Sequence, residues 1–363
     1  MRNSFGSALT VTLYGESHGE EIGAVLGGLA PGIKIDEEYI NSKLSLRKAS
    51  GDVSTGRKEA DEFKIVSGVF NGYTTGAPLC ITVKNLNVKS KDYSDLKIIP
   101  RPSHADYSAE MKYQGYQDYR GGGHFSGRCT VALVAVGAIV AKALEEKGVF
   151  IATHIKNLHG IEDRDYIDLS NDISALSNKA FPVLDEDKEK LMKDEILKVK
   201  TDGDSVGGVL ETVVVGLPVG VGEPWFDSVE SVLSHAMFSI PAVKGVEFGM
   251  GFGFKDLLGS EANDPFQIKG DTVTTKTNNN GGINGGITNG MPILFRVAVK
   301  PTPSIYKSQE SVNLKTKENT SLVINGRHDP AIIHRARVVV DMMTALSLGD
   351  LLTVKFGTDY LAK

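Results

Sequence analysis

A pattern of glycine, proline and β-branched residues recurs in this chain at a spacing of 214 residues, and it constrains the fold more than any other feature. Gly68, Gly72, Thr74, Gly76, Pro78 and Val83 are matched by Gly282, Gly286, Thr288, Gly290, Pro292 and Val297. Each copy reads as a glycine-rich turn, a Gly-x-Pro stop and then a strand, at 79–84 and again at 293–300. A weaker echo sets Gly15-Glu16-Ser17 and Gly23-Ala-Val-Leu26 against Gly203-Asp204-Ser205 and Gly207-Gly-Val-Leu210. Repetition of this kind predicts one domain over 1–363 built as two similar halves, approximately 1–160 and 200–363.

Further strands are expected at 11–13, 63–66 and 210–215, where β-branched residues cluster between glycine turns. Such turns favour antiparallel pairing over βαβ crossovers. Segment 131–147 is apolar all round until Glu145, so its helix is expected to be largely buried. A matching helix is expected at 331–348, opening after Asp329-Pro330. The charge-rich segment 184–200 reads as a helix bridging the halves. Polar stretches at 45–61 and 306–320 read as long loops of the kind that cover active sites. Gly249-Met-Gly-Phe-Gly-Phe254 reads as a flat strand, able to pass close to a planar ligand or simply to pack.

Composition removes several function classes. The net charge is -5 and the pI about 5.9, so no global basic field recruits nucleic acid. No apolar run reaches the ~20 residues that span a bilayer, and the N-terminus lacks a signal-peptide core. Two cysteines, Cys80 and Cys129, read as buried thiols, and the expected compartment is the cytoplasm. The 40 glycines exceed the roughly 25 expected at ordinary usage, and their scatter implies many tight turns.

Three glycine-flanked segments carry acid-base and cationic side chains. Gly15-Glu16-Ser17-His18-Gly19 fits a Gly-x-Ser-x-Gly nucleophile elbow, which would make Ser17 a hydrolase nucleophile. Its place argues otherwise, because residue 17 leaves no room for the strands that precede such an elbow. Arg101-Pro-Ser-His104-Ala-Asp106 puts a histidine in a loop whose Asp106 can fix its tautomer. Arg120-Gly-Gly-Gly-His124-Phe125-Ser126-Gly-Arg128 places two cations before a helix N-terminus, an arrangement that cradles anions. Asn325-Gly-Arg327-His-Asp329-Pro ends the series, and Lys300-Pro301-Thr302-Pro303-Ser304 leaves a strand with a cation and hydroxyls suited to phosphate. No dinucleotide, Walker or metal-ligand motif occurs. One site for an anionic substrate, assembled from distant loops, is the natural reading.

Taken together and in order, these segments resemble the chorismate synthase family. The resemblance rests on Gly15–Gly19, Arg101–Asp106 and Asp118–Arg128. It extends through Ala242-Val-Lys-Gly-Val-Glu247, Gly281-Gly-Ile-x-Gly-Gly-Ile287, Lys300–Thr302 and Gly326–Pro330. It implies an α+β fold of two similar halves, with central antiparallel sheets packed together and helices outside, a β-α-β sandwich. It also implies anti-1,4-elimination of phosphate from 5-enolpyruvylshikimate-3-phosphate, with reduced FMN required and no net redox change.

By the same resemblance, His18 protonates the departing phosphate, His104 protonates the reduced flavin and Asp329 helps to remove the C6 hydrogen. Flavin contacts would come from His124, Phe125, Ser126, Glu261, Ala262, Gly285, Lys300, Pro301, Thr302, Pro303, Ser304 and Arg327. Arg47 would meet either a pyridine nucleotide or the substrate phosphate, with NADPH as an indirect reductant. A homotetramer and an external flavin reductase are the implied partners, and no metal, nucleic acid or membrane is. Two departures stand out. His124 replaces the arginine of many relatives, and Lys48-Ala49-Ser50-Gly51 replaces the usual Arg-Pro-Gly after Arg47.

Overall fold

The computed structural model describes residues 3–49, 51–54, 60–86, 97–324 and 328–362. Two five-stranded antiparallel sheets enclose a layer of helices. The first sheet holds β1 (Ser4–Phe5), β2 (Thr10–Gly15), β3 (Glu21–Gly27), β4 (Phe63–Ser67) and β7 (Leu79–Lys84), ordered β1-β2-β3-β7-β4. A small hairpin, β5 (Val69–Phe70) with β6 (Tyr73–Thr74), joins β4 to β7. The second sheet holds β8 (Phe150–Leu158), β9 (Ile161–Glu162), β10 (Gly208–Val215), β11 (Val243–Phe248) and β16 (Ile293–Val299), ordered β9-β8-β10-β16-β11. Hairpins β12 (Phe266–Lys269) with β13 (Thr272–Thr275), and β14 (Ile283–Asn284) with β15 (Ile287–Thr288), lie between β11 and β16.

The spacing in the sequence corresponds to strand register. Leu26 stands opposite Leu79 in the first sheet, and Val214 opposite Ile293 in the second, at offsets of 188 and 214 residues. The hairpin threonines carry the same bonds. Thr74 Oγ1 accepts from the Ile33 N–H and donates to the Ala30 carbonyl; Thr288 Oγ1 accepts from the Val221 N–H and donates to the Pro218 carbonyl. Of the weaker echo, Gly15–Ser17 against Gly203–Ser205 keeps the offset of 188, whereas Gly23–Leu26 against Gly207–Leu210 is four residues out of this register. β8 ends at Leu158 and is a strand of the second sheet, which sets it apart from a first half running to about 160.

Among the described residues there are eight α-helices: α1 (Glu37–Arg47), α2 (Asp106–Tyr113), α3 (Thr130–Glu146), α4 (Leu169–Leu176), α5 (Glu186–Thr201), α6 (Val229–Ser239), α7 (Gly259–Ala262) and α8 (Ile333–Phe356). The antiparallel α+β architecture and its β-α-β layering are the expected ones, but the sheets are the outer layers and not a packed central pair. α3 packs on β3 and β7 of one sheet and on β8 of the other, while α8 packs on β8 and β10 and against α3. Helices therefore fill the middle and the sheets flank them. The cause is composition: 13 of the 17 residues of α3 and 19 of the 24 of α8 are buried, and a helix apolar all round must be covered on both sides.

Close approach of α3 and α8 depends on two glycines. A Cβ on Gly137 would lie 2.6 Å from Met342 Cβ and 2.9 Å from its carbonyl oxygen, and one on Gly349 would lie 2.6 Å from Val140 Cγ1. Gly137→Ala gains about 1 kcal/mol of helix propensity and meets a backbone atom that cannot yield, at an overpacking cost of about 1–3 kcal/mol. We expect a net loss of up to about 2 kcal/mol, read as a lower urea midpoint; an unchanged or higher midpoint would show that the crossing is slack.

Four local expectations are corrected. The helix expected at 331–348 begins at Ile333 and continues to Phe356. Its Asp350 accepts N–H bonds from Ser7, Ala8 and Leu9 at 2.8–2.9 Å, tying it to the start of the first sheet. Segment 306–320 is not a loop but mostly a hairpin, β17 (Gln309–Asn313) with β18 (Glu318–Leu322). The glycine-phenylalanine alternation near 250 forms a 3₁₀ turn at Gly251–Asp256, capped by the Glu247 carboxylate on the Phe252 N–H, with Phe252 79% exposed. Finally, the helical run Gly127–Glu146 is long and apolar enough to cross a bilayer by composition, and 89% of its apolar window is buried inside the protein.

Candidate active site

Ser17 and His18 sit in the turn of an antiparallel hairpin between β2 and β3. A nucleophile elbow is a strand-to-helix turn, so the hydrolase reading of Ser17 loses its structural basis. Ser17 Oγ lies 3.3 Å from His18 Nδ1, and both residues are buried. The backbone of this turn is clamped to the glycine segment. The Ser17 N–H donates to the Gly123 carbonyl at 3.0 Å, and His124 Nδ1 donates to the Gly15 carbonyl at 2.8 Å.

The glycine segment is a turn with three consecutive left-handed residues, Gly121, Gly122 and Gly123, at φ 61°, 83° and 54°. Only glycine adopts that run without strain. It also has to be bare. A Cβ on Gly121 would stand 2.2 Å from the His18 ring, and one on Gly122 would stand 3.3 Å from His104 Cε1. The two histidines thus approach the same short turn at neighbouring residues.

His104 lies just before α2. Its Nδ1 is 2.6 Å from Asp106 Oδ1, and Asp106 also accepts from Arg101 through N, Nε and Nη2 at 2.7–3.0 Å. Burial pushes the Asp106 pKa up, but the bonds from Arg101 and His104 outweigh it and hold the carboxyl well below its usual range. The expected role of Asp106 as a partner of His104 is therefore geometrically met.

A chain of contacts closes the site. Arg101 Nη1 donates to Ser304 Oγ at 3.4 Å, and Lys300 Nζ reaches the Ser103 carbonyl. Thr302 Oγ1 donates to the Asp329 carbonyl at 2.8 Å. Asp329 Oδ2 is held by Arg335 Nη1 at 2.7 Å, Arg335 Nε donates to the Arg47 carbonyl, and Arg47 Nη2 donates to the Arg128 carbonyl at 3.3 Å. Arg128 belongs to the glycine segment. His18, His104 and Asp329 consequently share one circuit of loops and helix ends.

The cations differ from the sequence reading. Arg120 is paired with Asp118 and Arg128 with Asp61, with Asn85 Oδ1 also accepting from Arg128 Nε. The expected anion cradle is therefore already balanced by the chain's own carboxylates. Arg47 is the last residue of α1 and only 7% exposed, so it faces the site and not a mobile loop. Lys300 is the contrasting case. Burial and the nearby Lys244 charge both lower its pKa, and an anion bound beside them would relieve that repulsion.

The remaining expected contacts divide. Phe125 is 38% exposed, with its ring edge-on to Tyr113, while Ser126 Oγ caps the Arg128 N–H. Pro301 and Pro303 lie in the Lys300–Ser304 loop. Glu261 caps α7 through the Leu258 N–H, the carbonyls of Glu261 and Ala262 accept from Asn279, and Gly285 is at the tip of β14–β15 with open space where a Cβ would sit. Arg327 lies outside the described residues. Cys129 is buried and its thiol is pushed up to about 11, so it is inert.

Sequence reasoning missed Arg335, Asp61 and Lys244. Arg335 falls six residues after Asp329 in the first turn of α8, a spacing that could have flagged it. Asp61 carries no local signal; it is buried with φ 52° and meets Arg128 only through the fold.

Known proteins resemble this chain over nearly its whole length. Residues 9–353 match the family model described as chorismate synthase. Chorismate synthase of Thermococcus gammatolerans is 46% identical over 345 residues, covering 95% of this chain and 96% of the relative. That of Dehalococcoides mccartyi is 46% identical over 354 residues, covering 97% and 96%. A solved structure titled "Crystal Structure of Chorismate Synthase" superposes with a TM-score of 0.74 at 29% identity, covering 97% of this chain and 94% of that one. With a family model spanning nearly its whole length and relatives 46% identical, the chain belongs to the chorismate synthase family, whose members are lyases.

Proposed function

We propose that this enzyme forms chorismate by eliminating phosphate from 5-enolpyruvylshikimate-3-phosphate, with reduced FMN bound in the cleft beside His104. The observation that carries this reading is the convergence of His18 and His104 on Gly121 and Gly122, with Asp329 joined to the same circuit through Thr302 and Arg335. The donor set fits a flavin mononucleotide. Lys244 and Lys300 form a pair of cations for a phosphate, Phe125 offers an exposed aromatic surface to a planar ring, and the glycine turn lets a ligand come close to backbone.

In the elimination, the C3–O bond breaks with its electron pair leaving on phosphate, and the C6–H bond breaks to supply the new double bond. His18 carries a proton to the departing phosphate oxygen. Asp329, oriented through Oδ2 by Arg335, receives the proton from C6. His104 holds a proton at the same glycine turn, beside Gly122. Reduced flavin, when bound, supplies electron density that eases C–O cleavage without net oxidation. An anaerobic assay with the phosphorylated enolpyruvyl substrate tests the reading: chorismate and phosphate should appear one for one and only with reduced FMN. Turnover without flavin, or phosphate release without chorismate, would refute it.

The chain is further expected not to reduce its own flavin. Arg47 is buried, its guanidinium on the Arg128 carbonyl and its own carbonyl under Arg335, a position suited to the substrate phosphate. A nucleotide phosphate needs fixed cations or a helix N-terminus open to it. Dithionite- or light-reduced FMN should support turnover, whereas FMN with NADPH alone should not. Rapid anaerobic bleaching by NADPH without added reductase would restore Arg47 as a nucleotide ligand. We also read the enzyme as a cytoplasmic homotetramer served by an external flavin reductase. Exposed Trp225, Phe226, Phe266 and Ile268, each at least 70% accessible, support burial against further copies, which sedimentation velocity would measure.

A further inference from the structure

We propose that Asp106 and Arg101 are positioning residues for His104, Asp106 fixing the tautomer with the proton on Nδ1 and Nε2 presented to the glycine turn, and Arg101 holding Asp106 in place. This rests on the reading that His104 handles a proton in the reaction.

The argument is one of competing donors. His104 Nδ1 has two neighbours, Asp106 Oδ1 at 2.6 Å and Arg101 Nη2 at 3.0 Å. A ring nitrogen has a single in-plane position for a hydrogen bond, so only one of these can be a bond. A carboxylate demands a proton on Nδ1; a guanidinium, which only donates, demands a lone pair there. The shorter contact and the charge both favour the carboxylate. Arg101 is meanwhile occupied, its Nε and Nη2 forking onto the two Asp106 oxygens at 2.8 and 2.7 Å, and it is only 9% exposed. Nε2 is then the acceptor, and it lies 3.5 Å from where a Cβ of Gly122 would be. Remove the carboxylate and the guanidinium is already within reach of Nδ1. The tautomer would reverse, and a second proton on the ring would face a fixed positive charge.

Other charged groups do not duplicate this role. Glu110 of α2 shares the cleft with Lys97, Asp118 and Tyr119, but Glu110 is bonded to Gln117 and Asp118 to Arg120. Lys300 holds the Ser103 carbonyl. His328, near Arg101, has its pKa lowered by burial and by that guanidinium, so it adds no positive charge.

The test uses the flavin-free protein labelled with ¹⁵N-histidine, with His104 assigned by comparison with His104→Gln. The wild-type neutral ring should carry its proton on Nδ1. In Asp106→Asn, whose amide can donate to Nδ1, the neutral ring should carry it on Nε2. In the full assay the same variant should lose about 10–10⁴-fold in kcat, the upper figure being the cost of replacing a histidine-orienting aspartate by asparagine in a serine protease, with little change in KM. A wild-type ring protonated on Nε2 would overturn the proposal without any variant. So would an Asp106→Asn protein whose His104 tautomer is unaltered. If the tautomer reverses while His104→Ala retains full turnover, the positioning stands and the acid-base role of His104 fails.

Discussion

Replacing His18 or His104 by alanine should lower turnover by about 10²–10⁴-fold, the usual contribution of a positioned general acid or base. Both side chains act at the ends of a shared turn, since Gly121 faces one ring and Gly122 the other. Neither is part of the apolar core between the sheets, so the melting temperature should change little while the rate falls. The two losses should not add. If His18 and His104 serve one elimination, the double variant should fall by less than the product of the single factors. Rates are to be measured anaerobically with saturating reduced FMN, which separates loss of chemistry from loss of flavin. Wild-type turnover in either single variant would remove that residue from the mechanism. Equal, large drops in melting temperature would instead make the imidazoles packing elements of the turn.

Much of this site was legible because its chemistry is written in short segments. Gly15–Gly19, Arg101–Asp106 and the glycine run before α3 each announce a turn, a titratable group and a cation within a few residues. The pairing of Asp106 with His104 is local and was visible. What could not be read is whatever depends on distant neighbours. Arg128 looks like an available cation in sequence, and Asp61 neutralises it only after the chain has folded. The layer order follows the same rule. The all-round apolar character of 131–147 predicted burial, yet burial between two sheets instead of outside them requires knowing that α8, despite its Arg337, Asp341 and Asp350, is buried to the same degree. Gly349-Asp350 looks locally like the end of a helix, but Gly349 fits against Val140 and Asp350 holds three N–H groups of the first sheet. The hairpin at 309–322 was missed because residues such as Gln309, Asn313, Glu318 and Asn319 have low strand propensity, and pairing overrides it.

The largest effect on stability is expected away from the active site, at His154 on the outer face of the second sheet. Strand register lines up His154, Glu211, Arg296 and Glu247 on four neighbouring strands. His154 is fully buried, with Nδ1 2.7 Å from Asp163 and Nε2 3.2 Å from Glu211. Burial pushes the imidazole pKa down, but carboxylates on both nitrogens outweigh it and raise the value. Asp163 is lowered in turn: burial opposes this, and the bonds from His154 and the Leu184 and Asp185 N–H groups prevail. The signs define a window. A raised histidine contributes fully below its unfolded value of about 6.5 and loses that contribution as pH rises through the folded pKa; a lowered aspartate contributes above about 3.9 and loses it as pH falls. His154→Ala leaves two buried carboxylates without their shared cation. Breaking one partner from a buried ion pair costs about 3–5 kcal/mol, and the three N–H groups that still reach Asp163, from Arg164, Leu184 and Asp185, favour the lower end. The difference in unfolding free energy between wild type and variant should be widest near pH 5–6, narrowing in stronger acid and again in alkali as the wild-type imidazole loses its proton. A difference that is flat with pH would mean that His154 is neutral in the folded protein and bonded to only one of its two carboxylates.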